Sequence, residues 1–226
     1  MLQVKPMPAQ IAPERLARLA EIDPATVGHF RDWGFIDPEI RPVIPARRVV
    51  GTAVTVVAPP LDLSMVSYAL GLVRPGDVLV IDRLGDARHV CMGGVVALAA
   101  KQAGVAAIII DGVACDFAEI RQYDLPVWCR GEAVLVGKPL AVAGAMNIPA
   151  SCGGVAVLPG YAVLADTGGV FIFPPEEIEE IVETSLPMQA REPVTLQRLR
   201  AGEKLPAISG SKAKVDAALA AQSSRR

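Results

Sequence analysis

The apolar positions of the chain come in two patterns, unbroken β-branched runs and interrupted runs with helical spacing, and the two alternate through the first half. Pro13 to Leu19 has helical spacing. Asp23-Pro24 announces a second helix, an N-cap acid followed by proline at the first helical position, expected to reach about Trp33 and stop at Gly34. Val49 to Val57 is β-branched and is followed by Pro59-Pro60, the pattern of a buried strand. Asp62 then opens a helix from Leu63 to Val73, closed by the turn Arg74-Pro75-Gly76-Asp77. The unit repeats: Val78 to Ile81 reads as a strand, Gly93 to Gly104 contains a helix rich in Ala and Val, and Ala106 to Ile110 reads as a second strand. Both strands are wholly apolar, as burial on two faces requires, so this segment is expected to be a parallel βαβ crossover.

Beyond a helix predicted from Asp116 to Tyr123, the pattern breaks into short strand-like pieces separated by Gly and Pro. These are Val127 to Cys129, Ala141 to Ala143, Gly154 to Val157, Ala162 to Ala165 and Val170 to Phe173. The fold class is therefore α/β, with a mainly β second half. A last amphipathic helix begins at Pro174-Pro175, with Glu176 and Glu177 in the first turn where the helix dipole favours acids. The expected organisation is one domain over 1–206 with N-terminal helices, then a Ser-, Lys- and Ala-rich tail over 207–226 that is partly disordered.

Composition narrows the function. The 226 residues carry 22 Lys and Arg against 24 Asp and Glu, a net charge of −2, which argues against a nucleic-acid or anionic-membrane binder. With 52% hydrophobic and 20% charged residues, the chain has material for a core and too little charge for disorder. Its apolar segments are broken well before the ~18 residues of a membrane span. No basic flank with a following apolar run marks Met1 to Glu14 as a secretion signal. Cys91, Cys115, Cys129 and Cys152 form no Cys-x-x-Cys pair, which speaks against zinc and for a reduced, cytoplasmic setting.

Two segments could carry chemistry. Asp111-Gly112-Val113-Ala114-Cys115-Asp116 leaves the carboxyl end of a buried parallel strand, where ligands bind in α/β sheets. Its two carboxylates suit a hard cation, and the same residues also serve as a turn at Asp111 and a helix cap at Asp116. The polar loop from Asp82 to Met92 leads into Gly93-Gly94, a helix start whose free N–H groups at Val95 and Val96 suit a carboxylate or phosphate. Arg88 and His89 add charge nearby, although a lone histidine is more often a surface or hydrogen-bonded one. Cys115, beside an acid and without a basic neighbour, reads as structural.

In order along the chain, Arg74 to Asp82, Met92-Gly93-Gly94, Gly104 to Asp116, Leu125 to Gly131, Asn147-Ile148-Pro149, Cys152 to Gly160 and Ala165-Asp166 resemble the RraA-like family. That family holds 4-hydroxy-4-methyl-2-oxoglutarate aldolases, regulators of ribonuclease E and proteins once labelled demethylmenaquinone methyltransferases. The resemblance runs from about Ile22 to Thr184 and implies a swivelling β/β/α sandwich, assembled as a homotrimer or a dimer of trimers with sites at subunit boundaries. It also implies a divalent metal, Mg²⁺ or Mn²⁺, bound through Asp116, with a pyruvate enolate beside it. The amides near Gly93, Gly94, Val95 and Val96 are implied to hold the pyruvyl carboxylate, with Cys115 alongside.

Three positions depart from the aldolase pattern. Cys115 stands where the family's Asp-Gly-x-x-Arg-Asp run has arginine, Gly94 where it has a helix-start acid, and Tyr161 where it continues a turn with aspartate. Loss of a charged donor such as that arginine costs on the order of 2–4 kcal/mol of transition-state stabilisation. Loss of a proton-transfer acid costs about 10²–10⁴ in rate. The expectation is a metal-dependent lyase acting on a small 2-oxo acid by retro-aldol cleavage or decarboxylation, with Asp116 holding the metal and Arg88 and His89 supplying charge and proton transfer. The rival from another class is a non-catalytic binding or regulatory oligomer on the same scaffold. A methyltransferase is disfavoured, since no nucleotide-binding glycine loop with a ribose-binding acid is present.

Overall fold

A computed structural model describes residues 1–45 and 48–223 of the chain. It comprises two units, Met1–Val182 and Glu183–Arg226. The first unit is built on one sheet whose strands lie in the order Leu2–Val4, Gly144–Met146, Val49–Val57, Asp77–Asp82, Ala107–Asp111, Val127–Cys129 and Arg41–Pro42. The four strands from Val49–Val57 to Val127–Cys129 run parallel, with Val54 opposite Leu79 and Leu79 opposite Ile108. The helix Gly94–Gln102 is the crossover between Asp77–Asp82 and Ala107–Asp111, as the pattern predicted. A hairpin of Ala162–Asp166 and Gly169–Phe173 pairs antiparallel with the opening residues of Val49–Val57.

These central strands are buried on both faces, and the period of two along each divides their side chains between two cores. Val54, Val56, Leu79, Ile81, Ile108 and Ile110 face one core together with Met65, Ala97 and Ile120 from three helices. Ala53, Val78, Val80, Ala107, Ile109 and Trp128 face the other, packed against Cys152, Val157, Val163 and Ile172 from β segments. The sheet thus carries helices on one face and β hairpins on the other, the α/β layering expected from the sequence. Two buried threonines are partnered: Thr52 Oγ1 accepts the Ile11 N–H at 3.0 Å, and the Thr55 hydroxyl donates to the Ile148 carbonyl at 2.6 Å.

Several elements differ from the sequence expectation. The helix begun at Pro24 stops at Val27 instead of continuing to Trp33, because Phe35 is drawn into a β-bridge and ring stack with Phe171. The next helix is Ser64–Ala69, shorter than Leu63 to Val73. Ala141 to Ala143 is not a strand; their amides are taken by the Asp62 carboxylate and Ser64, and the strand follows at Gly144–Met146.

The second unit holds most of a long helix, Ile178–Arg200, with Pro187 and Pro193 inside it, followed by the helices Leu205–Ile208 and Ser211–Ser223. Much of the segment expected to be partly disordered is therefore helical through Ser223. Its ion pairs are local, Arg198 with Glu203 and Lys212 with Asp216. Among the described residues, no helix is long and apolar enough to cross a membrane.

Candidate active site

The chain leaves the sheet at Asp111 and runs through Gly112 and the short strand Val113–Ala114 to Cys115 and Asp116. The Cys115 N–H donates to the Met92 carbonyl at 3.0 Å, which lays this segment beside the start of the crossover helix. Asp116 has a left-handed backbone, φ 57° and ψ 46°, a conformation that aspartate tolerates better than most residues. That turn aims its carboxylate at the neighbouring helix: Asp116 Oδ2 accepts the Gly94 N–H at 2.9 Å. An anion at a helix N-terminus is favoured by the dipole and by the unpaired first-turn amides. The approach needs glycine, since a Cβ at Gly93 would overlap Asp116 Oδ2 and lie 2.5 Å from Cys115 Sγ. Gly94 faces another acid, for a Cβ there would come within 3.0 Å of Glu119 Cβ.

A pocket of about 220 Å³ opens here, lined by Leu63, Cys91, Met92, Gly93, Val95, Val96, Cys115, Asp116 and Val136. Gly93, Val95, Val96, Cys115 and Asp116, expected from the sequence to form a site, are thereby brought together around one cavity, with Gly94 joined to it through its amide. Among the described residues, no basic side chain lines it. Burial first, then the hydrogen bond and charge of Asp116, then the charges of Glu132 and Glu119, push the Cys115 thiol up to about 11. It is a protonated, weakly nucleophilic thiol at neutral pH.

The other expected groups are placed elsewhere. Asp111 does not join Asp116 in a two-carboxylate site; it accepts Arg130 Nε at 2.6 Å and the Gly153 N–H at 2.8 Å. Arg83 is wholly buried and donates to the carbonyls of Ala58, Pro59, Pro60 and His89, so it clamps the loop. His89 Nδ1 lies 3.1 Å from Asp86 Oδ1, and neither His89 nor the exposed Arg88 lines the pocket. Burial raises the Asp86 pKa, but hydrogen bonds from the His89 ring and the Arg88 and His89 amides outweigh it and hold Asp86 below the usual carboxylate range.

Sequence reading missed Asp62. The sequence marks it only as a helix opener, yet its carboxylate is buried and accepts N–H groups from Ser64, Leu140, Ala141, Val142 and Ala143. It fixes the segment just after Val136, one wall of the pocket. An acid before a predicted helix was the only signal, and that signal is silent about partners some 80 residues away.

Among the described residues, no three His, Cys, Asp or Glu side chains gather as a metal cage. Among the described residues, Asp116 alone offers a side-chain oxygen donor on the pocket wall. That set does not suit zinc, but it fits Mg²⁺ or a similar hard cation, which binds through one or two carboxylates and keeps several waters.

A model of the RraA-like family, described as Aldolase/RraA, matches residues 24–172. A putative 4-hydroxy-4-methyl-2-oxoglutarate aldolase of Halalkalibacterium halodurans is 34% identical over 67% of this chain and 71% of its own length. The 4-hydroxy-4-methyl-2-oxoglutarate aldolase of Thermus thermophilus is 32% identical over 50% of this chain and 68% of its own. Among solved structures, Streptomyces coelicolor RraAS2, described as an unusual member of the RNase ES inhibitor RraA family, superposes with a TM-score of 0.74. It is 26% identical, over 84% of this chain and 99% of that one. An uncharacterised Pseudomonas syringae protein has the same fold, with a TM-score of 0.76 at 24% identity over 92% of this chain and 98% of its own.

Proposed function

Because the chain belongs to the RraA-like Aldolase/RraA family, we propose that it is a lyase acting on a small 2-oxo acid, by retro-aldol cleavage or by decarboxylation of an oxaloacetate-type substrate. The observation that carries this reading is the Asp116 carboxylate set at the amide end of the Gly94–Gln102 helix, on the wall of a small pocket. First-turn amides at Val95 and Val96 have no acceptor within the helix and are suited to the substrate's 1-carboxylate. Asp116 is the residue to hold a divalent cation, Mg²⁺ or Mn²⁺, and its waters. Bound there, such a cation supplies a Lewis acid for the 2-oxo group.

In the retro-aldol direction, the C4 hydroxyl gives up its proton and the C3–C4 bond breaks. Its electron pair passes to the C2–C3 enolate, and C3 then takes a proton to give pyruvate beside the released carbonyl product. Asp116 is proposed as the group that receives the hydroxyl proton. Arg88 and His89 stand outside the pocket wall, so a part in proton transfer needs them to act from the loop. Arg88→Ala and His89→Ala decide that part: full activity in both leaves the task to Asp116 and its waters.

The site is proposed to be completed by further copies of the chain, as a homotrimer or a dimer of trimers. What supports this is that Val95 and Val136 on the pocket wall are exposed, as are Leu61, Val134, Leu135 and Val142, near wall residues in the chain. The test is pyruvate formation from oxaloacetate and from 4-hydroxy-2-oxo acids with Mg²⁺ or Mn²⁺ present. Activity is expected to vanish with chelator, to fall at least 100-fold in Asp116→Ala and to change little in Asp124→Ala. Activity that survives both chelator and Asp116→Ala removes the proposal. A folded, oligomeric protein that turns over no 2-oxo acid supports the rival binding role.

A further inference from the structure

Asp116 reaches Gly94 because its backbone is turned the uncommon way. With φ 57° and ψ 46° it lies in the left-handed region, and its carboxylate accepts the Gly94 N–H at 2.9 Å without capping the helix Phe117–Gln122 that it precedes. A non-glycine residue persists in that region where its surroundings hold it there. The ψ angle of Asp116 sets the orientation of a single peptide, made of the Asp116 carbonyl and the Phe117 N–H. Both ends of that peptide are held. The carbonyl accepts the Ile120 N–H at 3.0 Å, a bond that any helix start makes. The Phe117 N–H donates to Glu132 Oε1 at 3.2 Å, and that acceptor comes from a side chain 15 residues away.

Main-chain pairing delivers Glu132 to this point. The Arg130 N–H donates to the Gly112 carbonyl at 2.8 Å and the Ala133 N–H to the Ala114 carbonyl at 2.9 Å. Between them, Glu132 stands opposite Ala114 in the parallel pair of Gly131–Glu132 with Val113–Ala114. Resting on the lyase reading above, we infer that Glu132 is a positioning residue for Asp116. By accepting the Phe117 N–H it fixes the Asp116–Phe117 peptide and keeps Asp116 left-handed. The carboxylate then stays at the amide end of Gly94–Gln102, where the divalent cation is proposed to bind. Without that acceptor, Asp116 gains the extended conformation in which an aspartate caps its own helix, here through the amides of Ala118 and Glu119. The carboxylate then turns away from Gly94. What Glu132 supplies is an oxygen at the right reach; its charge is incidental.

Three substitutions separate reach from charge. Glu132→Gln keeps an acceptor at the same reach and removes the charge, Glu132→Asp keeps the charge on a stem one methylene shorter, and Glu132→Ala removes both. The probe is Mn²⁺ alone, titrated by electron paramagnetic resonance. Glu132→Gln is expected to bind Mn²⁺ at least fivefold more tightly than Glu132→Asp and Glu132→Ala, and kcat for pyruvate formation is expected to follow the same order. Affinities that follow the charge, with Glu132→Asp like wild type and Glu132→Gln like Glu132→Ala, overturn the inference. So do equal affinities in Glu132→Gln and Glu132→Ala.

Crystal structures of wild type, Glu132→Ala and Glu132→Gln read the position without turnover. Asp116 is expected to leave the Gly94 N–H in the alanine variant and to keep it in the glutamine variant, and Glu132→Asp serves if the alanine variant does not fold. An Asp116 that keeps its left-handed turn and its Gly94 contact in Glu132→Ala overturns the inference whatever the activity. A displaced Asp116 in that variant, beside a wild type that binds no Mn²⁺ and turns over no 2-oxo acid, supports the positioning and removes the lyase reading.

Discussion

Asp62 and Cys115 show how far single residues are set by partners remote in sequence. Burial raises the Asp62 carboxyl, but hydrogen bonds from the Ser64 side chain and amide and from the Ala143 and Val142 amides outweigh it and hold the group well below its ordinary range. A group with a depressed folded pKa contributes stability that is fully present above its unfolded value, about 3.9, and lost as pH falls toward the folded value. Asp62→Ala is expected to lower stability by about 2–3 kcal/mol at pH 7, by leaving buried amides unpaired. The deficit relative to wild type should shrink below pH 4 in denaturant titrations run across pH. Cys115 predicts a different pH profile. The other three cysteines are buried and Cys115 is partly exposed, so one thiol should react with iodoacetamide in the native protein. With the thiol pushed up to about 11, its labelling is expected to be slow at pH 7.5 and still climbing tenfold per unit at pH 9.5. A plateau below pH 9 contradicts this environment.

At the level of elements, what was legible in the sequence follows from how many residues each pattern spans. The strand at Val49–Val57 and the helix at Pro13–Leu19 were readable to the residue, because a long β-branched run and a proline-initiated helix are local signals. The crossover Asp77–Asp82, Gly94–Gln102, Ala107–Asp111 was readable because burial on two faces leaves an unbroken apolar run. The two-residue pairing of Val113–Ala114 with Gly131–Glu132 and the parallel edge strand Leu2–Val4 were not, since partners supply what so few residues cannot encode. The site divided the same way. Gly93, Gly94 and Asp116 stood out by spacing and by resemblance, whereas Glu119, Glu132 and Asp62 gain their places only when the chain folds back. The Gly93 contact is the element-scale test. Gly93→Ala must drive Asp116 off the Gly94 amide, and a forced contact of this kind costs about 1–3 kcal/mol. The variant is expected to melt lower and to lose lyase activity, whereas Gly71→Ala, where the backbone is not left-handed and a Cβ would meet only the Tyr68 carbonyl at 3.4 Å, should leave activity unchanged.

For the whole molecule, the exposed Val134, Leu135 and Val136 beside the pocket point to assembly and catalysis sharing one surface. Sedimentation is expected to give a trimer or hexamer at micromolar concentration, and Val134→Asp, at a position 91% exposed in the single chain, to reduce both mass and activity. A stable, fully active monomer contradicts that link. The central claim, that the Asp116 pocket makes and protonates an enolate of pyruvate, can be tested without knowing the natural substrate. The measurement is exchange of the pyruvate methyl protons for deuterium in D₂O, followed by proton NMR with Mg²⁺ present. Exchange above background that stops with chelator and in Asp116→Asn, and persists in Asp124→Asn, is the predicted result. No exchange by the folded protein, or undiminished exchange in Asp116→Asn, contradicts the account.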